Sequence, residues 1–522
     1  MPVPAPVYIT TPIYYVNDRP HIGHAYTTTI CDVYARLQRA LGREVFFLTG
    51  TDEHGSKVEK SAVERGLSPQ AWADANAAEF RRILGLFDLT NDDFIRTTEP
   101  RHVVQVQRFI ERLRASGMIH LGRFEGWYDE GQEEYYTETK AKDVEYRSPI
   151  SGRPLVRATE ENYFFRLSAF QSKLEALYQE RPDFVRPEAR RNEVLGRLRD
   201  GLQDVPISRT NFTWGIPVPG DERHVLWVWV DALFNYITAL GMAADAGDAE
   251  LESLRARRRF WPATYHVVGK EILWFHAVVW PALLMALELP LPRCIHAHSF
   301  WVSGGQKMSK SLGNFLDLES IQGYVDRYGL DAWRYFMIAR GPLAATDADF
   351  TAASFHETYT TDLVNTVGNC ASRVTAMIGR YFDGRLPADT DEAIAGIDWS
   401  AESSLAVRRA VEASENLALG DVLTSALSLV RRVDGFINAT EPFKLAKEES
   451  RRATLGAILY RCAETLRVAA LLLEPTMPQR IGELLRALGA IRRGTLDAEA
   501  RWGQLQPGAG VSKVALFPRV EL

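Results

Sequence analysis

Val7-Tyr8-Ile9-Thr10-Thr11, followed by Pro20-His21-Ile22-Gly23-His24, opens the chain, and the join between these two stretches decides the fold. The first is apolar and β-branched and predicts a strand. The second begins a helix whose broad apolar face carries Ile22, Ile30, Val33, Tyr34, Leu37 and Leu41 and stops at Gly42. A strand running into a helix leaves backbone N–H groups and the positive end of the helix dipole at the turn, where anions bind. Gly23 lets a ligand approach the backbone, and two imidazoles add donors, so this turn is a candidate phosphate site.

A second cluster, Lys307-Met308-Ser309-Lys310-Ser311, sits in a loop bounded by Gly304-Gly305 and Gly313-Asn314. Two ammonium groups on flexible stems, with hydroxyls between them, suit a loop that closes over a triphosphate. The two clusters together read as equipment for the phosphates of ATP.

Outward from the first join, short apolar runs alternate with amphipathic helices, the pattern of a parallel α/β sheet. A strand is expected at 45–49, and the turn Gly50-Thr51-Asp52-Glu53-His54-Gly55 then places ionisable groups at a carboxyl edge, where open α/β sheets bind ligands. A helix follows at 103–115. Residues 122–154, rich in Tyr, Glu and Gly, look irregular with short strands and read as part of an insert ending near Ile216. Sheet-like sequence resumes at 224–230, then at 264–268, with a helix at 272–287. Beyond Phe355 only helical periods occur, as at 405–418, 423–436, 453–472 and 477–488. The expected organisation is therefore a sheet domain (1–115 and 217–300) split by an inserted module (116–216), a linking stem (301–353), and a helical bundle with its tail (354–522).

A chain of 522 residues exceeds one ordinary core, and its 46% hydrophobic and 25% charged content is that of a globular protein. A net charge of -6 confines any nucleic-acid contact to local basic patches. Four scattered cysteines give neither a disulfide framework nor a metal knuckle, and suit a reducing cytoplasm. The N-terminus lacks a signal or transit pattern, and the longest apolar run, 277–287, contains Pro281 and is too short to span a bilayer.

Several blocks in order resemble class I aminoacyl-tRNA synthetases, in the methionine-activating branch: Thr10-Thr11-Pro12-Ile13-Tyr14-Tyr15-Val16-Asn17, the His-Ile-Gly-His turn, Phe47 to Gly55, Asn162-Tyr163-Phe164-Phe165-Arg166, Trp229-Val230-Asp231-Ala232-Leu233, and an unaltered Lys-Met-Ser-Lys-Ser loop. The resemblance covers nearly the whole chain. It implies a Rossmann-like catalytic domain and an anticodon-binding bundle. It implies that ATP, carried with Mg²⁺, is contacted by His21, Gly23, His24, Gly269, Glu271, Lys307, Ser309 and Lys310, with His21, His24, Lys307 and Lys310 catalytic. Methionine would meet Ile13, Tyr15, Trp229, Ala232, Leu233, Tyr236, Ile272 and His276, with Asp52 on its ammonium, and Trp280 and Asp231 would assist removal of homocysteine. Asn369, Arg373 and Phe443 would meet the anticodon of methionine tRNA, initiator and elongator.

The sequence departs from the family pattern in four places. Glu271 replaces the usual aspartate, and Phe443 replaces a tryptophan, keeping a stacking surface without an indole N–H. The module around Gly126-Trp127-Tyr128 and Ser148-Pro149 lacks zinc-binding cysteines, so no metal site is expected. Nothing after the bundle resembles an appended dimer-forming domain, so a monomer is expected.

Taken singly, Trp229, Tyr236 and Trp280 would read as core aromatics and His276 as a satisfied core histidine. A small-molecule adenylyltransferase would need neither the bundle nor the lysine loop. A non-catalytic tRNA-binding relative would have lost the phosphate residues. Leucyl, isoleucyl and valyl enzymes carry a far larger editing insert, and cysteinyl enzymes need cysteine ligands absent here.

Overall fold

The computed structural model describes residues 5–17, 19–129, 134–136, 138–149, 151–243, 248–308, 314–390 and 396–521. Ser309 and Lys310 lie outside the described residues.

Along the chain the elements that build the site are β1 (Val7–Thr10), β2 (Tyr14–Tyr15), α1 (Ile22–Ala40), β3 (Val45–Asp52), α2 (Ser56–Glu64), β4 (Asp93–Arg96) and α3 (Pro100–Ala115). An insertion follows with β5 (Ile119–Asp129), β6 (Val156–Phe165), β7 (Val185–Arg186) and β8 (Asp221–Leu226). The chain then returns through α4 (Val228–Leu233), β9 (Tyr265–Gly269), β10 (Cys294–His298), β11 (Trp301–Ser303) and β12 (Gln306–Lys307). Its helical part includes α5 (Leu330–Arg340), α6 (Asn369–Tyr381), α7 (Trp399–Glu415), α8 (Leu419–Thr440), α9 (Arg452–Leu473) and α10 (Pro478–Ala487).

The central sheet is seven-stranded and parallel, ordered β2-β3-β1-β9-β10-β7, with β4 also on β3. Alternation along the strands feeds two cores. Val7, Ile9, Phe47 and Val267 face α1 and the bundle, whereas Tyr8, Phe46, Leu48 and Val268 face α3 and α4. The order reverses at β1, which has β3 on one side and β9 on the other, the crevice where such sheets bind ligands.

The structure changes four expectations. The 224–230 stretch is not one strand: β8 ends at Leu226 in a separate three-stranded sheet, and Val228 begins a helix. A short apolar run has no period to separate strand from helix, and the helix buries Asp231 while presenting Trp229, Ala232 and Leu233 together. The strand expected at 45–49 runs on to Asp52, through Gly50, where glycine is needed because a Cβ would lie 2.0 Å from the Ile95 carbonyl oxygen of the adjoining strand. The insert is not built of short strands only: β5 and β6 pair over ten positions, from Ile119 opposite Phe165 to Tyr128 opposite Val156. The 272–287 helix contains a π-helical segment at Phe275–Val279. Within residues 116–216, β7 adds an edge to the central sheet by pairing with β10.

At the hairpin's end, the Trp127 indole N–H donates to Glu138 at 2.8 Å and the Tyr146 hydroxyl donates to the other carboxylate oxygen at 2.9 Å. Their rings lie 4.7 Å apart beside a small core of Tyr136, Ala141 and Leu155.

One fully buried ion pair fastens the sheet to the bundle. Arg334 on α5 bonds Asp32 on α1 at 2.6 Å and also donates to the carbonyls of Phe87, Pro475 and Thr476. The Asp32 carboxylate has little water around it, yet Arg334 and Arg36 hold its pKa below the ordinary range.

Candidate active site

The carboxyl ends of β1, β3, β9 and β10 open into one cavity of about 300 Å³. Pro12 and Ile13 enter from the end of β1, Asp52 from β3, Gly269 and Glu271 from β9, and His298 and Phe300 from β10. The start of α1 supplies His21, Gly23, His24 and Thr27, and the far wall is Trp229, Ala232, Leu233, Tyr236, Ile272 and His276. Every residue expected to bind methionine therefore lines a single space, together with His21, Gly23, His24, Gly269 and Glu271.

The imidazoles of the first cluster are preset by the backbone. His21 is the N-cap of α1, and its Nδ1 accepts from the Gly23 N–H at 3.0 Å. The His24 Nδ1 accepts from the His21 N–H at 3.2 Å, completing a capping box. A nitrogen that accepts carries no proton, so both rings hold theirs on Nε2 as a neutral donor. Burial, then the adjacent His21, keeps the His24 pKa well below the ordinary histidine value. The rings lie 3.9 Å apart, and a Cβ at Gly23 would come within 2.9 Å of the His21 ring, so glycine is required for this packing.

Both described ends of the lysine loop are fastened at the cavity. On the approach, Lys307 lies 6.0 Å from the centroid of the Phe300 ring; burial raises the Glu271 pKa above the ordinary carboxylate value, and the charge of Lys307 offsets part of that rise. On the return, Leu316 accepts from the Ile22 N–H at 3.0 Å, Asp317 forms a β-bridge with His21, and the Phe315 ring is 5.3 Å from that of His21. Ser309 and Lys310 fall between these two ends in the sequence.

On the apolar wall, Trp229 stacks on Phe275 at 4.0 Å and 7°. The Tyr236 hydroxyl donates to His276 Nε2 at 2.7 Å, while His276 Nδ1–H donates to the Ile272 carbonyl at 3.0 Å. Burial pushes the His276 pKa down to about 4, so the ring is neutral near pH 7. Behind the wall, the Trp280 N–H donates to His266, which in turn bonds Thr10. Asp231 is fully enclosed between His54 at 2.6 Å and His102 at 2.8 Å. Neither Trp280 nor Asp231 lines the cavity, so the two residues expected to act on homocysteine instead support the wall from behind.

Sequence reading missed Thr27, Lys57, Asn235, His298 and Phe300. His298 is the clearest loss: its Nε2 accepts from the Thr27 hydroxyl at 2.7 Å, tying β10 to the second turn of α1. The apolar-polar alternation of Cys294-Ile295-His296-Ala297-His298 was the signal that a strand ended there.

The remaining expected residues lie on the bundle. Asn369 is exposed at the start of α6, and Phe443 is 46% exposed just past α8. Arg373 is paired with Asp434 and donates to Asn438 at 2.9 Å.

Residues 7–153 and 142–375 match the family described as tRNA synthetases class I (M). The chain is 44% identical to the methionine–tRNA ligase of Streptomyces coelicolor, over 98% of this chain and 96% of that one. It is 41% identical to that of Halalkalibacterium halodurans, over 99% of this chain and 78% of the longer relative. Among solved structures, Mycobacterium tuberculosis methionyl-tRNA synthetase in complex with methionyl-adenylate superposes with a TM-score of 0.91 at 37% identity, covering 99% of this chain and all of that one.

Proposed function

Because this chain belongs to the class I methionine–tRNA ligases, we propose that its cavity holds methionine against the apolar wall and ATP along the first turn of α1. The enzyme activates methionine with ATP to methionyl-adenylate and passes the methionyl group to the 3′-terminal ribose of methionine tRNA, releasing AMP and pyrophosphate.

In the first step a carboxylate oxygen of methionine attacks the α-phosphorus, and the bond to pyrophosphate breaks. In the second, a ribose hydroxyl attacks the acyl carbon and AMP leaves. Asp52 takes the substrate ammonium. The two Nε2–H donors of His21 and His24 meet charge growing on the phosphates, and Glu271 and Gly269 hold the adenosine. Lys307 and Lys310 neutralise the departing pyrophosphate, and the Ser309 hydroxyl donates to it. Catalysis here is positioning and fixed charge. Mg²⁺ enters with ATP as part of the substrate. Asn369, Arg373 and Phe443 read the anticodon of initiator and elongator tRNA from the bundle, residues 354–522. The enzyme works as a cytoplasmic monomer, and no helix among the described residues is long and apolar enough to cross a membrane.

The observation that carries this reading is the meeting, in one cavity at the carboxyl edge of the sheet, of the histidine turn, Asp52 and an aromatic wall suited to a thioether. The test is isotopic exchange of pyrophosphate into ATP. Methionine supports exchange, and leucine and cysteine do so far more weakly; equal exchange with leucine would refute the pocket assignment.

A further inference from the structure

Methionine enters as a zwitterion, and its carboxylate has to approach a triphosphate that is itself strongly anionic. That approach is opposed by repulsion unless a cation stands beside the carboxylate. Burial keeps His24, His276 and His298 neutral near pH 7, so they do not provide one. Among the described residues lining the cavity, Lys57 alone carries a permanent positive charge.

Its ammonium stands at the cavity wall. Lys57 occupies the first turn of α2, where the helix dipole disfavours a cation. Its ammonium lies 5.7 Å from the centroid of the Tyr15 ring, and Tyr15 sits opposite Asp52 in the β2–β3 register. An anion and a cation thus line the same cavity beside Tyr15.

We propose that Lys57 binds the carboxylate of the amino-acid substrate while Asp52 binds its ammonium, so that the pair reads the head group as a zwitterion. The inference rests on the assignment of Asp52 to the substrate ammonium. Lys57 holds the attacking carboxylate beside the α-phosphate and offsets the repulsion between them.

The test compares binding of methionine with that of methioninol, which keeps the ammonium and thioether and has an alcohol in place of the carboxylate. Calorimetry on the full chain with Lys57→Met is expected to show methionine binding weakened roughly 10- to 100-fold and methioninol binding hardly changed, with Lys57→Arg recovering most of the loss. Retained methioninol binding also shows that the variant is folded. Equal weakening of both ligands, or unchanged methionine binding, would overturn the proposal. Asp52→Asn separates the underlying assignment: it should weaken both ligands, and if it weakens neither, the ammonium site is misplaced whatever Lys57 does.

Discussion

Replacing His24 with alanine lowers kcat for methionine-dependent pyrophosphate exchange by roughly 100- to 1,000-fold while KM for methionine changes little. The His24 ring is fixed by the His21 backbone N–H and flanked edge-on by Tyr14 at 4.7 Å and Phe80 at 5.1 Å. Its Nε2 proton is therefore aimed before substrate arrives, and no reorganisation is needed as charge builds on the phosphate. The His24 pKa is already held well below 6.5, so its donor form is complete across neutral pH. Loss of His24 should therefore depress the rate by a similar factor at pH 6.5 and pH 8. A parallel rise in KM for methionine would mean that the ring supports the pocket and not the phosphate; kinetics at saturating and limiting methionine distinguish the two.

Asp231→Ala removes about 3–5 kcal/mol of folding stability, read by chemical denaturation, and raises KM for methionine. The carboxylate has no access to water, and both oxygens are bonded, to His54 beyond β3 and to His102 on α3. His102 continues to Thr238 at 2.8 Å. These bonds fix α4, with Trp229, Ala232 and Leu233, against the strand end that carries Asp52. Burial raises the Asp231 pKa, but His54 and His102 outweigh it and the net shift is downward. A depressed carboxylate stabilises the fold above its unfolded pKa and loses that contribution as pH falls through its folded value. The stabilisation should therefore be complete at neutral pH and vanish only below the ordinary carboxylate range. An alanine variant as stable as the wild type, with unchanged KM, would remove Asp231 from the account.

Much of this was legible because local pattern and local chemistry agreed. The β1–α1 join carried its strand, its helix period and its phosphate chemistry in one short stretch, and the structure places a capping box there. What the sequence concealed depends on distant partners. Val228-Trp229-Val230 is β-rich by composition, yet it turns helical to bring Asp231 between histidines far away in the chain. Gly50 looks like turn punctuation, but it marks a close approach of the adjoining strand. Cys294–His298 escaped notice because two of its five residues are histidines, although all are buried in the sheet. His298 and Lys57 went unassigned because only the folded sheet brings their side chains to the cavity. Nothing in a linear pattern announces that Phe315, Leu316 and Asp317, at the far side of the lysine loop, rest on the start of α1.

The most direct measurement is a crystal structure with ATP and an unreactive methionine analogue. The account predicts the triphosphate between the Nε2 groups of His21 and His24 on one side and the ammonium groups of Lys307 and Lys310 on the other, with the thioether against Trp229. A nucleotide bound elsewhere, or one with the lysine loop directed away from it, would contradict the account.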